Sequence, residues 1–197
     1  MPPVLRSLLQ GNGVVHMQTL RKMLGRRGYV APTHIAFTGN NTHSYFWITQ
    51  SPQDKPPCLV VFAHDTSRVG VGLIRDISKL MHDRDCVDSI LISEGLTPSA
   101  SAEVRDLLHK QIICPIAPKT LVFDWYEHRS VPHHTILNRR DREAVLAAFK
   151  VKPTQLPSIH LEDPACKYLG AHPGDIFKIT RIRPNVGESF AYRHVIK

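Results

Sequence analysis

The sequence predicts two folded parts, an α/β layer domain over residues 1–124 and a small α+β domain over 125–197. Three observations carry this. Strand-like and helix-like segments alternate through the first 124 residues, a pattern that needs a sheet with helices on its faces. Beyond residue 137 a helix is followed only by short strands. The charge also divides unevenly: residues 125–197 carry 12 Lys and Arg against 7 Asp and Glu, a net +5, whereas the longer first part carries 13 against 10, a net +3. A chain of 197 residues is long enough to bury a core in each part.

The first helix is read from VVHMQTLRKMLGRRG, where Met17, Leu20 and Leu24 fall at helical spacing and Gly28 stands where a C-terminal cap belongs. SYFWITQ and CLVVFA are short, β-branched or aromatic runs separated by the proline-rich SPQDKPP, and predict two strands. VGLIRDISKLMHD returns to helical period, with Leu73, Ile74, Ile77, Leu80 and Met81 on one stripe. VDSILIS is a continuous apolar strand. TPSASAEVRDLLHKQ opens with Thr97 as N-cap and Pro98 at the first helical position. TLVFDWY is read as the strand that closes the domain. In the second part, NRRDREAVLAAFK predicts a helix capped by Asn138 with Val145, Leu146 and Phe149 facing inward. DIFKITRIR and SFAYRHVIK, joined by PNVGE, predict a hairpin with Gly187 in its turn.

Several functions are argued against by what the chain lacks. No stretch of eighteen apolar residues is present, so no membrane span is expected, and MPPVLRSLLQGNG is too weakly apolar for a secretory signal. An intracellular protein is the expectation. The four cysteines, Cys58, Cys86, Cys114 and Cys166, form no C-x-x-C pair, and buried inert thiols are expected. His133 and His134 are adjacent on an extended stretch and point to opposite faces, so they are not expected to share a metal. No P-loop, G-x-G-x-x-G or G-x-S-x-G is present. Asp85, Asp88 and Glu94 flank one strand and would be the metal ligands of a nuclease, but no lysine follows Glu94 at useful spacing. A solvated acidic loop is expected, with no catalytic residue, no cofactor and no bound metal.

The segment DPACKYLGAHPGDIFKI, residues 163–179, is densely punctuated. Asp163 before Pro164 is strong helix-start chemistry, Gly170 ends the single turn PACKYL, and HPGD is a proline–glycine turn at the entrance to a strand. Cys166 has no neighbouring base, so the stretch reads as a stiff corner and not a nucleophile site.

These same residues carry a resemblance. LPSIHLEDPACKYLGAHPGDIFKITRIR, with Gly187 and AYR beyond it, is similar to the signature of the fifth-largest subunit shared by the nuclear RNA polymerases, a family that includes its archaeal RNA polymerase counterpart. The matching positions are Leu156, Pro157, Ile159, Asp163, Pro164, Tyr168, Gly170, Gly174, Lys178, Ile179, Arg181, Gly187, Tyr192 and Arg193. Upstream, EHRSVPHH resembles the family's E-H-x-L-V-P-x-H element through Glu127, His128, Val131, Pro132 and His134. GLTPSA and LRKMLGRRGY resemble two elements of its first domain.

The resemblance implies a non-catalytic nuclear subunit of a DNA-directed RNA polymerase. Its first domain would be a jaw, a nuclease-like fold without catalytic residues beside downstream duplex DNA, with Thr97, Pro98, Ser99 and Ala100 near the DNA backbone. Its second would be an assembly domain docking on the largest subunit through Glu127, His128, Pro132, His134, Asp163, Pro164, Tyr168, Gly170, Gly174, Tyr192 and Arg193. GAHPG replaces the family's basic G-L-K-R-G loop, and Glu188 stands where arginine is usual, which implies a divergent member. The alternative is a stand-alone nucleic-acid-binding or nuclease-like protein.

Overall fold

The computed structural model describes residues 12–30, 38–39, 43–48, 55–63, 68–183 and 187–197. The chain divides into two compact units, Met1–Asp124 and Trp125–Lys197.

In the first unit, helix α1 (Asn12–Arg26) precedes strands β1 (Thr38–Gly39), β2 (His43–Ile48) and β3 (Cys58–Ala63). Helix α2 (Val71–His82), strand β4 (Asp88–Ile92), helix α3 (Pro98–Leu107) and strand β5 (Ile112–Ile116) follow. The sheet has the order β1-β2-β3-β4-β5, antiparallel as far as β3 and parallel from β3 to β5. Parallel neighbours need a crossover, and α2 and α3 supply the two. One sheet face packs Leu59, Val61 and Leu91 against Ile74, Ile77 and Met81 of α2 and Ala100 and Val104 of α3. The alternate residues Cys58, Val60, Phe62 and Ile90 are equally buried, as are Leu20, Met23 and Leu24 of α1, so both faces of the sheet are covered. Ser78 Oγ donates to Gln111 Oε1 (2.6 Å) and Gln111 Nε2 returns a bond to the Ser78 carbonyl, tying α2 to the start of β5.

The final strand differs from expectation. TLVFDWY forms no strand; its residues lie in 3₁₀ turns at Pro118–Leu121 and Trp125–Glu127 and the link between them. The fifth strand is instead IICPI, whose Ile113, Cys114 and Ile116 are buried beside β4. Pro115 argues locally against a strand there, but β5 is the sheet edge and needs main-chain donors on one side only. Thr49, Gln50 and residues 51–54 of the expected strand and linker lie outside the described residues.

In the second unit, strand β6 (His133–Ile136) leads to helix α4 (Arg139–Phe149), strand β7 (Ser158–His160), the short helix α5 (Pro164–Leu169), and the long strands β8 (Ile176–Arg183) and β9 (Gly187–Ile196). The sheet order is β6-β8-β9-β7, with β7 parallel to β9. One face is buried through Phe177, Ile179, Val195 and Ile159, and with it the α5 residues Ala165, Cys166, Tyr168 and Leu169. Asn138 caps α4, its Oδ1 accepting from Asp141 N at 2.9 Å. The expectation that Val145, Leu146 and Phe149 face inward is corrected: the first two are half-buried and Phe149 is 57% exposed, its ring edge-on to Tyr192. Helical period marks a stripe, but only neighbouring elements decide whether the stripe is covered. The hairpin pairs as expected, while residues 184–186 of its turn lie outside the described residues.

Candidate functional site

The corner in the second unit is built by local chemistry. Asp163 Oδ1 accepts from Ala165 N (2.8 Å), and Pro164 occupies the first turn, where no N–H is needed. After six residues Gly170 turns left-handed (φ 66°, ψ 46°) and Ala171 N closes onto the Cys166 carbonyl at 3.0 Å. An L-residue with a Cβ adopts that conformation at a cost, so glycine is the residue the corner requires. In the following turn His172 N donates to Asp175 Oδ2 (2.8 Å) and Gly174 N to the Val195 carbonyl (2.9 Å). The HPG turn is thereby fastened to β9.

An aromatic stack holds the corner. Tyr168 lies parallel to Tyr126, with centroids 5.1 Å apart, and edge-on to Trp125 at 5.3 Å. Tyr126 Oη both donates to the His134 carbonyl and accepts from His134 N, each at 2.8 Å. His134 Nδ1 lies 2.7 Å from the Pro132 carbonyl; a carbonyl only accepts, so Nδ1 carries the proton. Burial holds the imidazole below its ordinary pKa, opposed by that bond and by Asp163, so His134 is neutral at physiological pH. Sequence pattern places Trp125 and Tyr126 in a strand, whereas they form half of this clamp. Their aromatic density was the available signal, but the partner Tyr168 is more than forty residues away.

The eleven candidate interface residues thus sort by what they touch. Asp163, Tyr168, Gly170, Gly174 and His134 build the frame, and Arg193 Nη1 donates to the Ser158 carbonyl at 2.8 Å, binding β9 to β7. Glu127, His128 and Pro164 are exposed, and Pro132 and Tyr192 are half-exposed.

In the first unit, Thr97 Oγ1 accepts from Ala100 N (3.2 Å), and Thr97 N donates to the Val69 carbonyl. Pro98 has no N–H and Ser101 N bonds the Thr97 carbonyl, so Ser99 supplies the one first-turn N–H without an intrahelical partner. Ser99 is exposed, Ala100 is buried, and Arg68 runs close to Gly95 just before this turn.

The nuclease ligand set does not assemble. Asp88 begins β4 and Glu94 follows its far end, ~20 Å apart at ~3.3 Å per strand residue. Among the described residues no three His, Cys, Asp or Glu side chains stand where they could hold a metal ion. His133 and His134 alternate as strand neighbours do, the first exposed and the second half-buried. Cys58, Cys86, Cys114 and Cys166 are all buried and none is in a disulfide; burial pushes the Cys58 thiol up, and that of Cys86 up to about 11. Among the described residues no helix is long and apolar enough to cross a membrane.

The family model for the C-terminal domain of RNA polymerase Rpb5 matches residues 123–195, which contain the whole corner. The DNA-directed RNA polymerase subunit Rpo5 of Pyrococcus horikoshii is 44% identical over 75 residues, 38% of this chain and 92% of that protein. This chain belongs to the Rpb5/Rpo5 family of DNA-directed RNA polymerase subunits. Among eukaryotic members, the subunit RPABC1 of RNA polymerases I, II and III from Caenorhabditis elegans is 29% identical over 139 residues, 70% of this chain. The match spans 66% of the nematode protein's length. The corresponding Dictyostelium discoideum subunit is 27% identical over 186 residues, 89% of this chain and 93% of that protein. Within the family, the archaeal identity is concentrated in a stretch about the size of the second unit, while the Dictyostelium match runs through both.

Proposed function

We propose that this chain is a non-catalytic structural subunit of a nuclear DNA-directed RNA polymerase, docking through its second unit on the largest subunit. The observation that carries this is the 44% identity to nearly the whole of an archaeal Rpo5, a polymerase subunit of which 92% is matched by 75 residues here. The 75 matched residues are about the length of the cornered unit, which the C-terminal family model covers. Polymerisation and its metal ions then belong to other subunits.

The first unit is the jaw in this reading, a nuclease-like layer fold with no catalytic set, lying beside downstream duplex DNA. Thr97, Pro98, Ser99 and Ala100 form the helix start turned to the backbone, with Ser99 N–H and the Arg68 cation as its donors to phosphate. The first unit's net charge of +3 neutralises few phosphates, so this unit alone binds duplex weakly and depends on the assembly for position.

Affinity purification of the tagged chain from nuclear extract is the test. Recovery of the two largest polymerase subunits at near-equal stoichiometry is the expected result. Their absence, together with magnesium-dependent cleavage of DNA by the purified chain, would establish the nuclease reading in its place.

A further inference from the structure

The hairpin of the second unit is longer than the strands that flank it. β6 pairs with β8 only over residues 177–180, and β7 pairs with β9 only over 194–196. Beyond residue 180 the hairpin is a two-stranded arm, 181–183 against 187–189, and over residues 190–193 β9 is the outer strand of a three-stranded stretch. On its outer side, His194 N donates away from β8 to the Pro157 carbonyl at 2.9 Å, and the Ile196 carbonyl accepts from Leu161 N at 2.8 Å. The β8–β9 register continues without a bulge from His194 to Gly187. Main-chain groups alternate sides along an antiparallel strand, so the N–H and carbonyl groups of Glu188, Phe190 and Tyr192 also point away from β8. Among the described residues no strand lies there to meet them. An open edge of this kind is ordinarily covered or blunted, because it templates pairing with another chain.

The side chains around the edge divide by face, and Glu188 lies on the face of Phe190 and Tyr192. Phe190 and Tyr192 share one face with Ile182, and Ile182 and Phe190 are 79% and 51% exposed. The other face presents Ser189, Ala191 and Arg193, with Arg181 across the ladder from Ser189. Through β8 and β9 four basic residues (Lys178, Arg181, Arg183 and Arg193) stand against the single acid Glu188. Lys178 Nζ already lies 4.2 Å from the Phe190 ring centroid, adding positive charge to the apolar face.

We infer that the outer edge of β9 over residues 188–192 accepts an added strand from another polypeptide, one whose side chains alternate apolar and acidic. Its apolar positions lie beside Phe190 and Tyr192, its acidic positions beside Arg193 and Arg181, and its main chain pairs with the three outward residues. A second copy of this chain fits less well, because pairing β9 to β9 brings together two units of net +5. The inference deepens the subunit reading and rests on it only for where the partner is sought.

The experiment is photo-cross-linking from the full chain, tagged and expressed in its own cells, with benzoylphenylalanine in place of Phe190. The joined peptide is identified by mass spectrometry. The expected product is a segment of a different polypeptide in which acidic and apolar residues alternate. A product from a second copy, from a basic or unpatterned segment, or no product at all overturns the inference. Polymerase subunits recovered without such a product leave the function standing and remove only the strand pairing. An alternating segment from a protein outside the polymerase does the reverse. Glu188→Pro removes an outward N–H and keeps both rings. It should lower the cross-link yield at least tenfold while the melting temperature is held; an unchanged yield overturns main-chain pairing.

Discussion

Strands β3 and β8 are both internal to their sheets, and they are buried differently. Every residue of Cys58–Ala63 is buried, because helices cover both faces of the first sheet. In β8, Ile176, Phe177 and Ile179 are buried, Lys178 and Thr180 are half-buried, and Arg181 and Ile182 are exposed. In the first unit the central strand is covered on both faces, whereas in the second Ile182 and Phe190 are exposed and, among the described residues, no strand pairs with the outer edge of β9 over 188–192. An exposed apolar group of that kind is what the proposed added strand would cover.

The contrast can be broken by matched truncations. Each unit holds one of the chain's two tryptophans, Trp47 and Trp125, so single-tryptophan variants report each unit separately in urea. Phe62→Ala removes a fully buried ring from the first sheet and should cost ~3–5 kcal/mol in the Trp47 transition. A cost below ~1 kcal/mol would mean that this core is loosely packed. Asp163→Ala deletes the α5 cap and should lower the Trp125 transition by ~1 kcal/mol, leaving that of Trp47 unchanged.

Acidification sharpens the comparison further. The unfolded chain binds a proton at His134 more readily than the folded one, so stability present above the ordinary histidine pKa falls as pH drops through and below it. Between about pH 7.5 and 5, a window around the ordinary histidine pKa, the second unit should lose more stability in the native chain than in His134→Gln. Equal losses would show that His134 is not the group responsible. The smallest effect belongs to Ile182→Ser, which should change the isolated chain by no more than ~0.5 kcal/mol because the side chain is already in water. If thermal melts show a larger loss, the arm is covered by the chain itself and the contrast fails.

Legibility followed the range of the interactions. Caps at Thr97, Asn138 and Asp163, the left-handed Gly170 and the α2 stripe are readable because their partners lie within a few residues. The fifth strand is read from the β-branched and aromatic run TLVFDWY, whereas IICPI with Pro115 holds that place because an edge strand needs main-chain donors on one side only. Frame and surface are likewise mixed in the candidate interface set: Tyr168 and Glu127 carry equal weight as motif residues, yet one is buried in a ring stack and the other is exposed.

The sequence by itself determined the family, the corner and its caps, and the lack of a catalytic motif, since each is written in residue identity at short spacing. Tertiary structure alone decided which apolar stripes are covered. It also left the outer edge of β9 over residues 188–192 without a partner strand among the described residues. Burial and pairing depend on what lies alongside a strand, and its neighbours come from distant parts of the chain.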